Sequence, residues 1–439
     1  MGYWSLLIFP FLLTLLFLGF PVAFSMMASA FVFGYITFGN AFIFQIVEKI
    51  EDVASNYVLA AVPLFVFMGA VLERSGIAEK LFEAIHLWTR RLPGGLAVGT
   101  VLMCIVFAAS SGVVGATETV IGLLAVPVMM RYAYNKELIV GTICAGGSLG
   151  TIIPPSVVAV VLGPLADVSV GDLLVGMIFP GLIMAGSYIV YILTACTIWP
   201  EWGRRLPPAP GEPALAEKLA ITGHALVPPL FMIFAVLGSI MLGWAAPTEA
   251  AAIGGAGAVL LTLFYRTFSF RALQAAIMKT LSITTMIMTI ILGGSMMTGA
   301  FVGAGGIMAA QDLVNSLNVG PWGLMCVVLL IAFIAGFFLD WISIVLILVP
   351  IFAPILKMSG IDMVWFSIAL LVVIQTSYLS PPMAPAIFYF RAISPPEITT
   401  AHMYRGVLPF IILQIITLAI VLAFPATVVW LPKMLLGPG

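Results

Sequence analysis

Two Pro-Pro pairs interrupt otherwise apolar segments at corresponding places in the two halves of the chain. The first lies in AGGSLGTIIPPS (145–156) and the second in QTSYLSPPMAP (375–385). Because proline removes a helix hydrogen bond and clashes with the preceding turn, we expect each pair to split a membrane helix near mid-depth. The freed carbonyls could hold a cation, and the new helix N-terminus could face an anion such as a carboxylate. A single proline kink is common in membrane helices, so this interpretation depends on the presence of two proline pairs at corresponding places in the two halves.

A stretch of small and hydroxyl residues, AASSGVVGATET (108–119), forms a second candidate site. We expect a turn here, and backbone groups at such a turn are costly in lipid unless they face protein or a filled cavity. The hydroxyls of Ser110, Ser111 and Thr117 are hard oxygen ligands suited to a small cation. Close helix packing is the alternative role, because small residues also serve it.

Ionisable residues inside apolar segments are expensive and therefore candidates for function. Asp340 in GFFLDWIS and Glu118 beside the small-residue stretch could take part in ion coupling or carry a proton. For Asp340, capping of the following half-helix is at least as good an explanation. Glu249 is expected only to cap a helix. Arg391 could face a substrate carboxylate, although an ordinary cytoplasmic anchor is the favoured role.

The composition indicates a membrane protein. Of 439 residues, 62% are hydrophobic and only 8% are charged, whereas soluble domains carry about 25% charged residues. The net charge of −1 gives no electrostatic case for nucleic acid as a partner. The sequence contains no HExxH, GxSxG or P-loop pattern, so it does not predict an enzyme, and any process that needs energy would draw on an ion gradient and not on bound ATP.

Apolar segments of membrane-spanning length fill most of the chain. A bilayer core of about 30 Å needs about 20 apolar residues per helix. Two further apolar stretches, 96–131 and 321–357, are interrupted midway by small or polar residues, which predicts re-entrant hairpins. Two complete spans joined by a short loop are the alternative for each. The predicted full spans are 4–20, 22–38, 57–73, 138–163, 173–199, 222–243, 247–265, 280–304, 363–388 and 406–424.

Basic residues predict the orientation in the membrane. With ten spans and two hairpins, 14 of the 17 Lys and Arg residues fall in loops on one side. Because cytoplasmic loops carry an excess of Lys and Arg, both termini are predicted to lie outside the cytoplasm. Hairpin one (96–131) then enters from the cytoplasm, and hairpin two (321–357) enters from outside.

The two halves of the chain, 1–199 and 222–439, resemble each other. LLAVP in the first half matches LILVP in the second, and TIIPPSVVAVV matches YLSPPMAPAIF. A polar, Pro-rich linker at 200–221 separates the halves. Each half holds five predicted spans and one hairpin, and because five is odd the second copy is inverted. Inverted repeats with interrupted helices are typical of secondary transporters, while a channel is the alternative.

The hairpin tips and paired breaks carry a family resemblance. The segments PLFVFMGAVLERSGIAEKL, ASSGVVGATETVIGLLAVPVM, GGSLGTIIPPS and GFFLDWISIVLILVPIFAPIL, followed by LSPP, closely resemble the large membrane subunit of tripartite ATP-independent periplasmic (TRAP) transporters. The resemblance runs over essentially all of the chain. It implies an all-α polytopic fold with an inverted repeat, in which hairpins and broken helices move as a transport domain against a scaffold, as an elevator.

The resemblance also implies a function and partners. The chain would be a multi-pass permease of the bacterial inner membrane, with both termini in the periplasm, that imports an organic acid with Na+ as the coupling ion. At least two Na+ ions are expected per cycle. A periplasmic substrate-binding protein would deliver the carboxylate substrate, and a small four-helix membrane subunit is expected as a separate chain.

Three groups of site residues follow from the resemblance. Na+ site 1, between hairpin one and the broken helix 138–163, comprises Ser110, Ser111, Gly112, Gly147 and Thr151. Na+ site 2, between hairpin two and the broken helix 363–388, comprises Gly336, Ser377, Ser380 and Met383. The substrate pocket comprises Thr117, Pro154, Pro155, Ser156, Asp340, Pro381, Pro382 and Arg391.

Two departures from the family pattern affect these sites. Val113 and Val114 stand where small or hydroxyl residues are common, so fewer side-chain oxygens are available at hairpin one. The second break reads SPPMAPAIFYF, where many members show TPP followed by Gly and Asn. This argues against a sialic-acid or simple C4-dicarboxylate site. The alternative function is a standalone Na+/carboxylate symporter that needs no binding protein.

Overall fold

The computed structural model describes residues 2–111, 115–206, 213–316, 320–382 and 384–437. The described residues form helices and the turns that connect them, and they contain no β-strand. This confirms the predicted all-α membrane fold.

Within the described residues, the first half of the chain folds into α1 (Ile8–Phe17), α2 (Val22–Phe38), α3 (Phe42–Ser55), α4 (Ala61–Leu72), α5 (Ile77–Thr89), α6 (Gly95–Ser111), α7 (Ala116–Arg131), α8 (Lys136–Ser148), α9 (Val157–Ala166), α10 (Val170–Gly176) and α11 (Ile178–Ile198). The second half folds into α12 (Leu215–Met241), α13 (Pro247–Phe264), α14 (Phe270–Gly303), α15 (Gly306–Ser316), α16 (Pro321–Ala335), α17 (Trp341–Met358), α18 (Met363–Leu379), α19 (Pro385–Ile393), α20 (Thr400–Ala423) and α21 (Ala426–Leu435).

Several helices are long enough to span a membrane. Seven helical segments of the described chain are long and apolar enough to cross a bilayer, and the pair α4–α5, bent by 65°, could form an eighth. The helices α6, α7 and α16 have only 17, 16 and 15 residues. At 1.5 Å per residue they extend about 23–26 Å, less than the roughly 30 Å of a bilayer core. Their shortness favours hairpins, although α17 alone reaches the length of a span.

Both Pro-Pro pairs lie at interruptions between helices. After α8, a short 3-10 turn (Leu149–Thr151) leads to the cis Pro154–Pro155 bond, and α9 begins at Val157. After α18, the chain passes through the cis Pro381–Pro382 bond before α19 begins. We call residues 149–156 the first break and residues 380–384 the second break. The two halves thus share the same interruption.

Glycines allow the closest helix crossings. A Cβ on Gly141 of α8 would lie 2.2 Å from the Gly406 carbonyl oxygen of α20. A Cβ on Gly293 of α14 would lie 2.8 Å from the Ala23 carbonyl oxygen of α2. Small residues bring backbones together in this way where lipid supplies no hydrophobic drive between helices.

Several helices differ from the prediction. Helices α3, α5, α15 and α21 lie outside every predicted span, and α3 was missed because its polar residues interrupt the apolar run. Helix α14 has 34 residues, longer than the predicted span 280–304, and α12 begins at Leu215, inside the predicted linker 200–221. Counting apolar residues finds only the part of a helix that lies in hydrocarbon, whereas α12 and α14 continue through polar residues beyond it.

Candidate functional site

A cavity of about 590 Å³ lies where hairpin two, the first break and the helices α18 and α19 on either side of the second break face the helices α2 and α14. Thr151 of the first break, Gly336 and Asp340 of hairpin two, and Ser377 of α18 all line it. A cavity of this volume suits a small molecule. The structure therefore brings together members of all three predicted groups of site residues.

Hairpin two touches α18 at a glycine. A Cβ on Gly336 would lie 2.1 Å from Ser377 Oγ and 2.3 Å from Ser377 Cβ, so only glycine fits there without a shift. The Ser377 hydroxyl donates to the Val373 carbonyl oxygen (3.2 Å), and the Ser380 hydroxyl donates to the Thr376 carbonyl oxygen (2.8 Å). Because both hydroxyl hydrogens are used within the helix, the oxygen lone pairs remain free to accept. Such oxygens fit a hard cation such as Na+.

The first break has the same arrangement of hydroxyl groups. The Thr151 hydroxyl donates to the Ser148 carbonyl oxygen, and the Ser156 hydroxyl donates to the Thr151 carbonyl oxygen, both at 2.9 Å. In hairpin one, the Ser110 hydroxyl donates to the Val106 carbonyl oxygen at 2.7 Å. The hydroxyl oxygens of Thr151 and Ser110 thus also keep lone pairs for a cation, while Ser156 ties the two ends of the break together.

Helix α7 begins at the turn of hairpin one, and its first turn carries a buried carboxyl group. The Gly115 N–H donates to Glu118 Oε2 at 2.9 Å, and Gly115 has a φ of +89°, which favours glycine. A Cβ on Gly147 of α8 would lie 2.4 Å from Glu118 Cδ. Glu118 therefore joins hairpin one to the helix that leads into the first break. Thr117 is buried, and its hydroxyl has no hydrogen-bond partner among the described residues.

Asp340 caps α17 and also borders the cavity. Its Oδ2 accepts from the Ile342 N–H at 3.1 Å, and its Oδ1 accepts from the Ser343 hydroxyl. Capping, one of the two roles considered from the sequence, is therefore present. The expected cap at Glu249 is also present, since Glu249 Oε2 accepts from the Ala246 N–H at 2.8 Å.

Several predicted site residues lie away from the cavity. Arg391 does not line it, and its guanidinium donates to the Ile398 carbonyl oxygen at 3.0 Å, which fits an anchor within its own chain. Pro154 and Pro155 are buried and Pro381 and Pro382 are exposed, and none of the four lines the cavity. Their place in the fold is to form the breaks. Gly112, Met383 and the side chain of Ser111 lie outside the described residues.

The cavity residues that were not predicted as part of a site include four that carry a hydroxyl group. Thr285 and Thr289 on α14, and Tyr378 and Tyr389 beside the second break, line the cavity. Thr285 and Thr289 are four residues apart, so they share one helix face. That spacing was visible in SITTMIMTI, but nothing in the sequence indicated which element this face would meet.

A second cavity, of about 540 Å³, lies farther along α14. It is lined by residues of α3 including Lys49, by Pro350 of α17 and by Ser295 of α14. Between the two cavities, α14 and α17 are in close contact. A Cβ on Gly294 of α14 would lie 3.0 Å from Leu346 Cβ of α17. This contact between α14 and hairpin two thus lies between the two cavities.

Comparison with known proteins gives consistent results along the chain. Residues 9–427 match the family model described as "Tripartite ATP-independent periplasmic transporter, DctM component". The C4-dicarboxylate TRAP transporter large permease protein of Pseudomonas aeruginosa is 31% identical over 388 residues, covering 88% of this chain and 89% of that protein. The sialic acid TRAP transporter large permease of Vibrio cholerae is 27% identical, covering 97% of this chain and 98% of that protein.

Two further similarities extend this picture. The ectoine/5-hydroxyectoine TRAP transporter large permease of Ruegeria pomeroyi is 27% identical, with 97% of each chain covered. The crystal structure of the Alcanivorax borkumensis YdaH transporter matches with a TM-score of 0.65 at 14% identity, covering 96% of this chain and 98% of that chain. At that identity the structural match shows the shared fold alone. The family match over residues 9–427 shows that this chain belongs to the DctM family of TRAP transporter large permease subunits, and so is a membrane transport protein and not an enzyme.

Proposed function

We propose that this permease imports an organic acid by Na+-coupled secondary transport, with elevator-type alternating access. A periplasmic substrate-binding protein delivers the acid, and a small membrane subunit on a separate chain completes the scaffold. The observation that carries the proposal is the shared cavity, because Thr151 of the first break, the tip of hairpin two and the two helices that flank the second break, α18 and α19, border one space of about 590 Å³. Related permeases are named for C4-dicarboxylate, sialic acid and ectoine, which supports a small polar substrate.

Na+ coupling is supported by the oxygen atoms near the breaks. Four hydroxyl groups near the breaks each donate a hydrogen bond to a helix carbonyl oxygen and keep oxygen lone pairs free, namely those of Ser110, Thr151, Ser377 and Ser380. These residues would hold Na+ together with backbone carbonyls freed at the breaks. Two Na+ ions with one monoanion carry net positive charge, so the membrane potential would contribute roughly 2.3 kcal/mol per charge per 100 mV.

The carboxylate would be held largely by backbone dipoles. None of the described residues that line the cavity is Lys or Arg. Helix α19 begins at Pro385 on the cavity wall without a side-chain cap, and a helix N-terminus carries partial positive charge that attracts anions. The tyrosines Tyr378 and Tyr389 add hydroxyls and aromatic surface, which suits an acid with a less polar body.

Alternating access is supported by the two cavities on either side of the Gly294–Leu346 contact. Sliding hairpin two along α14 would close one cavity and open the other. The empty, polar site would be costly to move through lipid without its ions, and this cost couples the ions to the substrate.

Uptake by the purified two-subunit complex in proteoliposomes tests the proposal. The probe is the radiolabelled acid that co-purifies with the cognate binding protein. We expect uptake to require an inward Na+ gradient and the binding protein, and to rise when the interior is made negative. Uptake that ignores both the Na+ gradient and the voltage would contradict Na+ coupling. Normal uptake without the binding protein would indicate a standalone symporter instead.

A further inference from the structure

Glu118 is a fully buried carboxyl group with one oxygen unpaired. Its side chain is 0% exposed. Oε2 accepts from the Gly115 N–H at 2.9 Å, which caps α7, whereas Oε1 has no hydrogen-bond partner among the described residues. Burial of a charged or polar oxygen without a partner is costly, so Oε1 is available to bind a proton, a water molecule or a cation.

The described side chains around Glu118 provide no counter-charge. The ionisable groups that interact with it are Cys104 on α6, Cys144 on α8, Tyr378 on α18 and Tyr389 on α19. None of these side chains becomes a cation. The Tyr378 hydroxyl faces the carboxyl group as a neutral donor but does not reach full hydrogen-bond geometry with it, so it supplies no counter-charge either. No described Lys, Arg or His forms an ion pair with Glu118.

The unpaired oxygen lies at the junction of hairpin one with the first broken helix. A Cβ on Gly147 would come within 2.8 Å of Glu118 Oε1, so the glycine is what allows the carboxyl group to reach α8. Carboxylate oxygens are strong ligands for hard cations.

We propose that Glu118 is an anionic ligand of the Na+ bound between hairpin one and α8 in this permease. The inference rests on the Na+ coupling proposed above and adds a residue to it. With Na+ bound, the charge of Glu118 is neutralised. Without Na+, the buried carboxyl group must take up a proton or keep an unpaired charge, and moving the charged form through the membrane is unfavourable. Glu118 thereby makes movement of the ion-free domain harder.

The test compares Glu118→Gln with Glu249→Gln in the purified two-subunit complex. Glu249 is a matched control, because its Oε2 makes the same capping bond to a backbone N–H but its side chain is exposed at the end of α13. Melting temperature is measured against NaCl concentration, with choline chloride keeping the ionic strength constant. We expect Na+ to raise the melting temperature of the wild type and of Glu249→Gln with the same midpoint.

For Glu118→Gln we expect the Na+ midpoint to rise at least tenfold, while the melting temperature without Na+ is not lowered. An unchanged Na+ midpoint would overturn the proposal. A melting temperature that falls by the same amount with and without Na+ would also overturn it, because it would show that Glu118 only caps α7. If the glutamine variant does not fold, Glu118→Asp takes its place, because it keeps the charge but shortens the side chain. We expect its Na+ midpoint to rise at least threefold. An unshifted midpoint would contradict the proposal. A wild type that does not respond to Na+ would contradict the proposed Na+ coupling itself.

Discussion

Gly336→Ala is expected to reduce Na+-dependent uptake at least tenfold. The added methyl group would lie 2.1 Å from Ser377 Oγ and 2.3 Å from Ser377 Cβ. Because Ser377 Cβ is fixed to the backbone of α18, rotation of the hydroxyl cannot relieve the clash, and hairpin two must move away from α18. Overpacking of this kind costs about 1–3 kcal/mol, and it also displaces the Ser377 hydroxyl that we assign to Na+. Uptake in proteoliposomes and the melting temperature of the same samples measure both effects.

Two further variants separate packing from ion binding. Gly238→Ala in α12 is the control, because a Cβ there meets nothing within 4 Å; its uptake should equal that of the wild type. The double variant Gly336→Ala/Ser377→Gly removes both clashing atoms. We expect it to regain stability but not uptake, since the hydroxyl is gone. Full uptake in the double variant would show that Ser377 does not bind an ion.

Gly406→Ala is expected to prevent correct folding of the permease. A Cβ on Gly406 would lie 2.3 Å from the Glu137 carbonyl oxygen and 3.1 Å from Glu137 Cα. These are backbone atoms of α8, so no rotamer change relieves the clash, and the cost should exceed the roughly 1–3 kcal/mol of side-chain overpacking. Size-exclusion chromatography of the solubilised protein should show little or no monodisperse complex.

A matched glycine controls for the general effect of alanine. Gly186 lies in α11, and a Cβ there meets nothing within 4 Å. Gly186→Ala should give the wild-type yield and melting temperature. If Gly406→Ala also gave wild-type values, the close crossing of α8 and α20 would be wrong.

The elements of the fold were largely predictable because their signals are local. Proline disrupts a helix through its missing N–H and its clash with the preceding turn, and the two interruptions lie at the pairs at Pro154 and Pro381. A proline pair alone does not decide a break, because α12 continues through Pro228 and Pro229. Apolar runs mark the spans, since lipid allows few other solutions. Helix α3 escaped this reasoning because it is amphipathic, with Ile43 and Phe44 exposed and Lys49 and Asp52 forming an ion pair on the same helix.

The composition of the cavity was less predictable because it depends on contacts between distant segments. The resemblance named Gly336 and Ser377, and the structure places them in contact. The sequence could not indicate that Thr285 of α14 would face the same cavity. The sequence identified Glu118 as an ionisable residue in the membrane. It did not show that the glycine at position 147 would make room for the carboxyl group of Glu118.

The proposed mechanism requires hairpin two to move along helix α14 during transport. Gly294 of α14 and Leu346 of α17 meet between the two cavities, and a Cβ on Gly294 would lie 3.0 Å from Leu346 Cβ. Disulfides need Cβ atoms about 3.5–4.5 Å apart, so a cysteine pair at these positions should cross-link after a small adjustment. The background should replace the four native cysteines with alanine.

The most direct measurement is uptake by Gly294→Cys/Leu346→Cys before oxidation, after oxidation and after reduction. Each single cysteine variant, treated in the same way, controls for oxidative damage. If hairpin two must slide along α14, uptake falls to background when the cross-link is complete and returns on reduction. Full-rate uptake by fully cross-linked protein would contradict the elevator mechanism.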